Sequence, residues 1–463
     1  MKRIVTLAGL LAAVAAPAVA QTSNGGPSQS VAQPSAPQPS APEASAPMPA
    51  QSGVAPSVEH LFDDWWGART YLESGGIYLS FDALTEFAGN VSGGVKQGST
   101  FANQVAFTAD IDWQRLAGVP GFSTHVIIVN RSGANDSTLF GDNLLPVQEI
   151  YGAGGNVALH LVSAYAQEKW FDGRLDLAAG RMNVENDFAS SPLYCNYMNN
   201  MLCGDPKALP GGDIGHSAYP DGVWGGRVRV RPTADTYVVT GVYEVSQGLY
   251  GDDWRTGWEF DGAQDSGVYV PVEVGYEPRF GASQLPGHYK IGFGYDSSNT
   301  FKNFSASLPS GAPAPTHTGN TQVWVLVDQM LLRQGPRDQD GIIALAGYIH
   351  NDPENSVYAD QYFVGALDRG FWPARPQDTA ALLFNYSTVS GQLGKVQEQE
   401  LGLPFSNGAT GVQTHEMILE VNYNIHVYRG LSFQPDFQYV FRPNAQSNIR
   451  NAAVFGFRAH VWF

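Results

Sequence analysis

From Ile77 to the C-terminal Phe463, apolar and polar residues alternate with a period of two. Between Leu431 and Pro443, the residues Leu431, Phe433, Pro435, Phe437, Tyr439 and Phe441 share one face. Ser432, Gln434, Asp436, Gln438, Val440 and Arg442 take the other. The last segment sets Phe455, Phe457, Ala459, Val461 and Phe463 against Gly456, Arg458, His460 and Trp462. A third sets Phe101, Val105, Phe107, Ala109, Ile111 and Trp113 against Gln104, Thr108, Asp110 and Asp112. Successive side chains of a strand point to opposite faces, so each segment carries one apolar and one wet face.

Sixteen such runs are predicted, from 77–88 to 452–463, with the second at 99–115, the third at 120–131 and the sixth at 222–232. Many reach about 10 residues, the length of a tilted membrane-spanning strand and longer than the usual strand of a soluble sheet. Connections alternate in length. The second, fourth, sixth and fourteenth strands end in tight turns such as Asp172-Gly173 and Arg429-Gly430, whereas the third, fifth, seventh, ninth and thirteenth end in long stretches. Short turns on one rim and long loops on the other are the outer-membrane pattern, and an even count closes with no free sheet edge. The fold class expected is all-β: a transmembrane antiparallel β-barrel of sixteen strands, with short periplasmic turns and long outer loops.

The N-terminal part differs. Lys2 and Arg3, an apolar run and Ala18-Val19-Ala20 make residues 1–20 an export signal. Residues 21–56 are rich in Pro, Ser and Ala, with Glu43 their one charge, and read as a disordered leader. Residues 57–76 carry Leu61, Phe62, Trp65, Trp66 and Leu72 at spacings that predict a short helix docking on the barrel, which then fills 77–463.

Charge narrows the function. The chain has 26 Lys and Arg against 43 Asp and Glu, a net −17 that becomes −19 once Lys2 and Arg3 are removed. Nucleic acid, which needs a basic face, is excluded as a partner. Enzyme motifs fail: His415-Glu416 begins a zinc-protease pair, but position 419 is Leu, and no nucleophile elbow or phosphate loop occurs. No catalytic residue, metal site or cofactor is expected. An outer-membrane hydrolase barrel and a secreted carbohydrate-binding β protein stand as the alternatives.

The stretch Ala179-Gly180-Arg181, Asp187-Phe188-Ala189, Cys195, Met198-Asn199-Asn200, Cys203-Gly204, Tyr219-Pro220 and Trp224-Gly225-Gly226-Arg227 resembles the carbohydrate-selective porins of the OprB type. Trp66 to Leu72, followed by Gly75-Gly76-Ile77, resembles the start of that family's mature domain. The resemblance spans roughly 58–463 and does not include the Pro-rich leader. It implies a sixteen-stranded channel in the bacterial outer membrane that admits monosaccharides and related polyols. The partners are then small sugars and outer-membrane lipid. The preferred sugar and the oligomeric state stay open, with a homotrimer among the options.

The residues support a site of their own. The longest connection, about 184–221, is long enough to fold inward and narrow a lumen. Its two cysteines, Cys195 and Cys203, are expected to pair in an exported protein. Arg227, Arg229 and Arg231 share one strand face, opposite Trp224, Gly226 and Val228, and are expected to point into the lumen. Arg181, Asp187, Glu86, Asp110 and Glu168, with Asp112 and Glu244, are candidates for the facing wall. Guanidinium gives hydrogen bonds to sugar hydroxyls and carboxylate accepts them. Phe188, Trp224 and Trp170 are candidates to stack on a pyranose.

Overall fold

The computed structural model describes residues 59–151, 155–213, 215–249, 257–258, 265–304, 315–402 and 409–463. The expected signal and leader lie outside them, as do residues 305–314 in the long stretch expected after the ninth strand.

Sixteen long strands close a barrel. They are β1 (Ile77–Ser92), β2 (Gly98–Asp112), β3 (Phe122–Gly133), β4 (Val157–Trp170), β5 (Leu175–Met182), β6 (Val223–Val230), β7 (Thr236–Ser246) and β8 (Asp265–Tyr276). There follow β9 (Leu285–Asp296), β10 (Asn320–Arg333), β11 (Gly341–Asn351), β12 (Tyr358–Arg369), β13 (Thr379–Val389), β14 (His415–Tyr428), β15 (Leu431–Phe441) and β16 (Ala452–Trp462). Each pairs antiparallel with its sequence neighbours, and β1 pairs with β16, with Glu86 opposite Arg458, to close the ring. A further two-residue strand, Arg279–Phe280, folds back on the start of β9 as part of a turn.

The alternation read from sequence sets the two faces. Phe87, Phe101 and Phe457 meet on the outside, with ring centroids 4.9 Å and 5.4 Å apart for the Phe87 pairs. Phe437 and Phe455 lie 4.9 Å apart on the same side. Glu86, Glu420, Gln438 and Arg458 face inward and are buried, because loops fill much of the barrel. The apolar core lies inside the barrel as well: Tyr194, Met198 and Leu202 from the long loop pack in one cluster with Leu326, Phe363, Leu383 and Ile418 of the wall.

Three local departures from the expected elements have simple causes. The second strand stops at Asp112, whose carboxylate accepts from the Gln114 and Arg115 N–H groups and caps a short helix, Trp113–Ala117. The sixth ends at Val230, just before the turn. The N-terminal segment is not one amphipathic helix, because Asp63, Trp65 and Trp66 take left-handed backbone angles and the helix spans only Ala68–Ser74. Trp66 is exposed rather than docked. Docking falls to Arg69, which donates to the Phe463 carbonyl (2.8 Å), faces His60 Nε2 (2.9 Å) and lies 4.1 Å from the Trp65 ring centroid.

Candidate functional site

The connection between β5 and β6, residues 183–222, crosses the barrel interior. Its backbone meets wall side chains on most of the circumference. Ala189 N–H donates to Glu273 Oε2 (2.8 Å) on β8, and Ala208 N–H to Gln361 Oε1 (2.8 Å) on β12. Met198 and Asn199 N–H both donate to Glu420 of β14, at 2.6 Å and 3.2 Å. Arg458 of β16 donates to the Cys195 and Tyr197 carbonyls. A connection without strands of its own must satisfy its backbone groups somewhere, and here the wall supplies the partners. Cys195 and Cys203 form a disulfide at a separation of 8 residues. Gly204 follows in a left-handed conformation, where a Cβ would lie 2.7 Å from Glu185.

The arginine row sits at the root of this loop, on the lumen face. Arg227 Nη1 lies 2.6 Å from Asp176 Oδ1, and its Nε lies 3.0 Å from Asp187 Oδ1. Arg229 Nη2 reaches the same Asp187 oxygen at 3.0 Å. Arg231, at the rim beyond β6, lies 2.8 Å from Glu277. The guanidiniums of Arg229 and Arg231 lie 5.2 Å and 5.4 Å from the Tyr237 ring. Side-chain exposure climbs along the row, from 4% at Arg227 through 11% to 23% at Arg231. Arg227 is thus a clamp that fixes the Asp187 carboxylate near the start of the loop, whereas Arg229 and Arg231 are less buried.

Several expected site residues lie elsewhere. Trp224 falls on the outer face, 40% exposed, opposite Arg181 in the ladder. Arg181 therefore does not line the facing wall; it is buried at the strand end, with its Nε donating to the Leu161 carbonyl. Glu168 pairs with Phe122 and Leu177, so it too belongs to the outer face. Trp170 shares that parity, and Glu244 shares it on β7, where it accepts from Trp224 N–H. Phe188 is wholly buried and meets Tyr243 edge-on at 6.1 Å, which leaves no ring face for a sugar. Glu86 does face inward, but it is sealed under the loops and held by Arg458 at 3.0 Å and 2.9 Å. Asp112 serves as a helix cap. Asp110 faces the lumen and pairs with His125.

Sequence reasoning missed Asp176, Glu273, Glu420 and Arg458 as the residues that engage the arginine and hold the loop. The polar parity of β14 and β16 already placed Glu420 and Arg458 inward. Nothing in the sequence places Asp176 beside Arg227, because that contact needs the register of two strands joined by a forty-residue connection.

The long loop also carries buried titratable groups. Burial pushes the Glu185, Asp205 and Asp213 carboxyls well above the usual range and Asp221 up to about 7. Burial also brings the Lys207 amine down to about 8, although Asp205 opposes it.

A closed membrane-spanning barrel whose lumen is narrowed by an inward, disulfide-bonded loop is a porin of the bacterial outer membrane. The family model of the OprB carbohydrate-selective porins matches residues 96–463, and the chain belongs to that family. Porin B of Pseudomonas aeruginosa is 26% identical over 431 residues, covering 89% of this chain and 93% of that one. The putative porin QuiX of Acinetobacter baylyi is 25% identical over 428 residues, covering 87% and 93%. A high-pH structure of Pseudomonas putida OprB superposes with a TM-score of 0.80 at 25% identity, covering 88% of this chain and 99% of that chain.

Proposed function

We propose that this outer-membrane sugar porin carries monosaccharides and related polyols into the periplasm by passive, saturable diffusion. The observation that carries the reading is the Arg227–Asp187–Arg229 cluster. It puts donors and acceptors side by side where the long loop leaves the wall. Hydroxyls accept from Arg229 and Arg231 and donate to Glu277 beside Arg231, the partly exposed carboxylate of the row. Several weak contacts in series suit a channel, since tight binding would slow release. On this reading residues 1–20 are removed on export and 21–56 form a spacer. The oligomeric state, for which a homotrimer is one option, is read from mass measurement in detergent.

The test is glucose uptake into liposomes holding the wild type or Arg229→Ala with Arg231→Ala. The expected result is saturable uptake whose half-saturation concentration rises in the variant. Linear, unsaturable uptake in the wild type would overturn the reading.

One observation favours a second reading, a hydrolase. Ser123 Oγ lies 3.0 Å from His125 Nε2, and His125 Nδ1 lies 2.6 Å from Asp110 Oδ1. This is the hydrogen-bond order of a nucleophile, a base and an orienting acid. Ser123, however, sits within the ladder, opposite Asp112 and Gln167. An acyl-transfer site needs backbone donors aimed at the developing oxyanion, and N–H groups engaged in a ladder cannot supply them. A fluorophosphonate probe is expected to leave Ser123 unlabelled; labelling that is lost in His125→Ala would favour the hydrolase.

A further inference from the structure

The Ser123–His125–Asp110 chain calls for another explanation, and its surroundings supply one. The Tyr165 ring stacks on His125 with centroids 4.6 Å apart and planes inclined by 20°. The ladder places Tyr78 directly opposite Asp110 and His125 directly opposite Tyr165. At the same level on β5 and β6 come Gly180 and Gly225, which carry no side chain themselves; the Tyr243 ring lies over Gly225, and Tyr165, packed partly against the interior cluster, stays partly exposed.

These groups lie in the periplasmic half. Short turns mark the periplasmic rim, where β2 ends and β3 begins. On β3, Arg131 holds the Ile150 carbonyl of the outer loop between β3 and β4 at 2.8 Å. His125 lies nearer the start of that strand, on the periplasmic side of this anchor. Asp110 is likewise near the periplasmic end of β2, beyond Gln104, which accepts from Arg131.

Asp110 also differs from the carboxylates around the arginine row and from Glu86. Asp176 and Asp187 are 9% and 5% exposed and bound to arginine, and Glu86 is sealed. Asp110 is 31% exposed, and its contact with His125 uses Oδ1 alone. Oδ2 is left for a hydroxyl donor.

We propose that Asp110, Ser123, His125 and Tyr165 form a monosaccharide-binding subsite in the periplasmic half of the lumen, separate from the arginine wall. The Asp110 carboxylate accepts from a sugar hydroxyl and Ser123 can give or accept. The Tyr165–His125 pair offers an aromatic platform for the C–H face of a pyranose. A carboxylate at the centre selects neutral polyhydroxy solutes and disfavours anions. The inference rests on the sugar-channel reading above. It adds a second weak station, from which a solute past the constriction leaves toward the periplasm.

The test is block of single-channel ion current by glucose, added to one side of a planar bilayer at a time. The full-length mature protein is compared with Asp110→Asn, Tyr165→Ala and Tyr165→Phe. Each is first checked for the heat-modifiable mobility of a folded barrel. The expected result is a half-blocking concentration raised about three- to tenfold in Asp110→Asn and Tyr165→Ala, the loss of roughly one net hydrogen bond or ring contact. The effect should be greater for glucose added from one side, and Tyr165→Phe should behave as wild type. Unchanged block in folded Asp110→Asn and Tyr165→Ala overturns the subsite and leaves the sugar-channel reading intact. A wild type that glucose does not block at all overturns both.

Discussion

Arg227 and Asp187 join the barrel wall to the first turn of the constricting loop, with Nε 3.0 Å from Oδ1 and both side chains buried. Arg227 is also bound to Asp176, so its removal takes an ion-pair partner from two carboxylates at once, leaving Asp187 with Arg229 and Asp176 with the Gln167 amide. Breaking a buried pair by deleting one partner costs about 3–5 kcal/mol. Arg227→Ala is expected to loosen residues 183–190 and widen the channel as well as weaken sugar contact. Single-channel conductance should rise. Conductance equal to wild type in a folded variant would show that the loop does not depend on this clamp.

Glu420 tests the far end of the same loop. Its two oxygens accept from the Met198 and Asn199 N–H groups. Glu420→Ala leaves both donors buried and unpaired, at a cost of about 1–3 kcal/mol each. Proteolysis of the folded barrel should then cut within 195–204, where the wild type resists.

The disulfide between Cys195 and Cys203 closes a short ring in a partly buried stretch of the loop. A ring of this size contributes roughly 2–3 kcal/mol by restricting the open chain. Replacing both cysteines with serine should leave the barrel folded and lower its resistance to heat. A size-graded sugar series should show a larger cutoff. An unchanged melting temperature and cutoff would assign the loop's shape to its wall contacts alone.

Acidity should tighten the loop between β3 and β4. Burial pushes the Asp136 carboxyl up to about 7 and raises Asp142 as well, since each is enclosed as this loop turns inward. A carboxyl whose pKa is raised on folding favours the protonated, folded form. Its contribution is fully present below the ordinary value of 3.8 and is lost as pH rises through about 7. Hydrogen exchange over 135–150, corrected for intrinsic rate, should show greater protection at pH 5 than at pH 8. Asp136→Asn with Asp142→Asn should flatten that difference.

Much of the barrel was legible from parity. The faces of β15 and β16 follow residue by residue from the alternation, because Phe, Tyr and Ala on one side meet Gln, Asp, Arg and His on the other. Parity also set Trp224 against the arginine row, and the structure keeps it on the outer face. Its candidacy as a stacking ring fails for that reason. Glu168 misled because β4 carries polar residues on both faces near the rim: Gln167 and Lys169 point inward while Glu168 points out. Phe188 lies in a loop, where no period tells a buried ring from an open one. Contacts between loop and wall, such as Ala189 with Glu273, depend on a path across the barrel that sequence spacing does not encode.

The central claim is selective passage of small neutral sugars past a loop-narrowed constriction, and a liposome swelling series tests it most directly. Purified mature protein would be reconstituted and challenged with neutral polyols, pentoses, hexoses, disaccharides and trisaccharides at equal osmolarity. The account predicts rapid swelling with polyols and monosaccharides, a steep fall at disaccharides, and slower swelling with monosaccharides at low concentration in Arg229→Ala with Arg231→Ala. Swelling that falls only in proportion to free diffusion, or none with any monosaccharide, would contradict it.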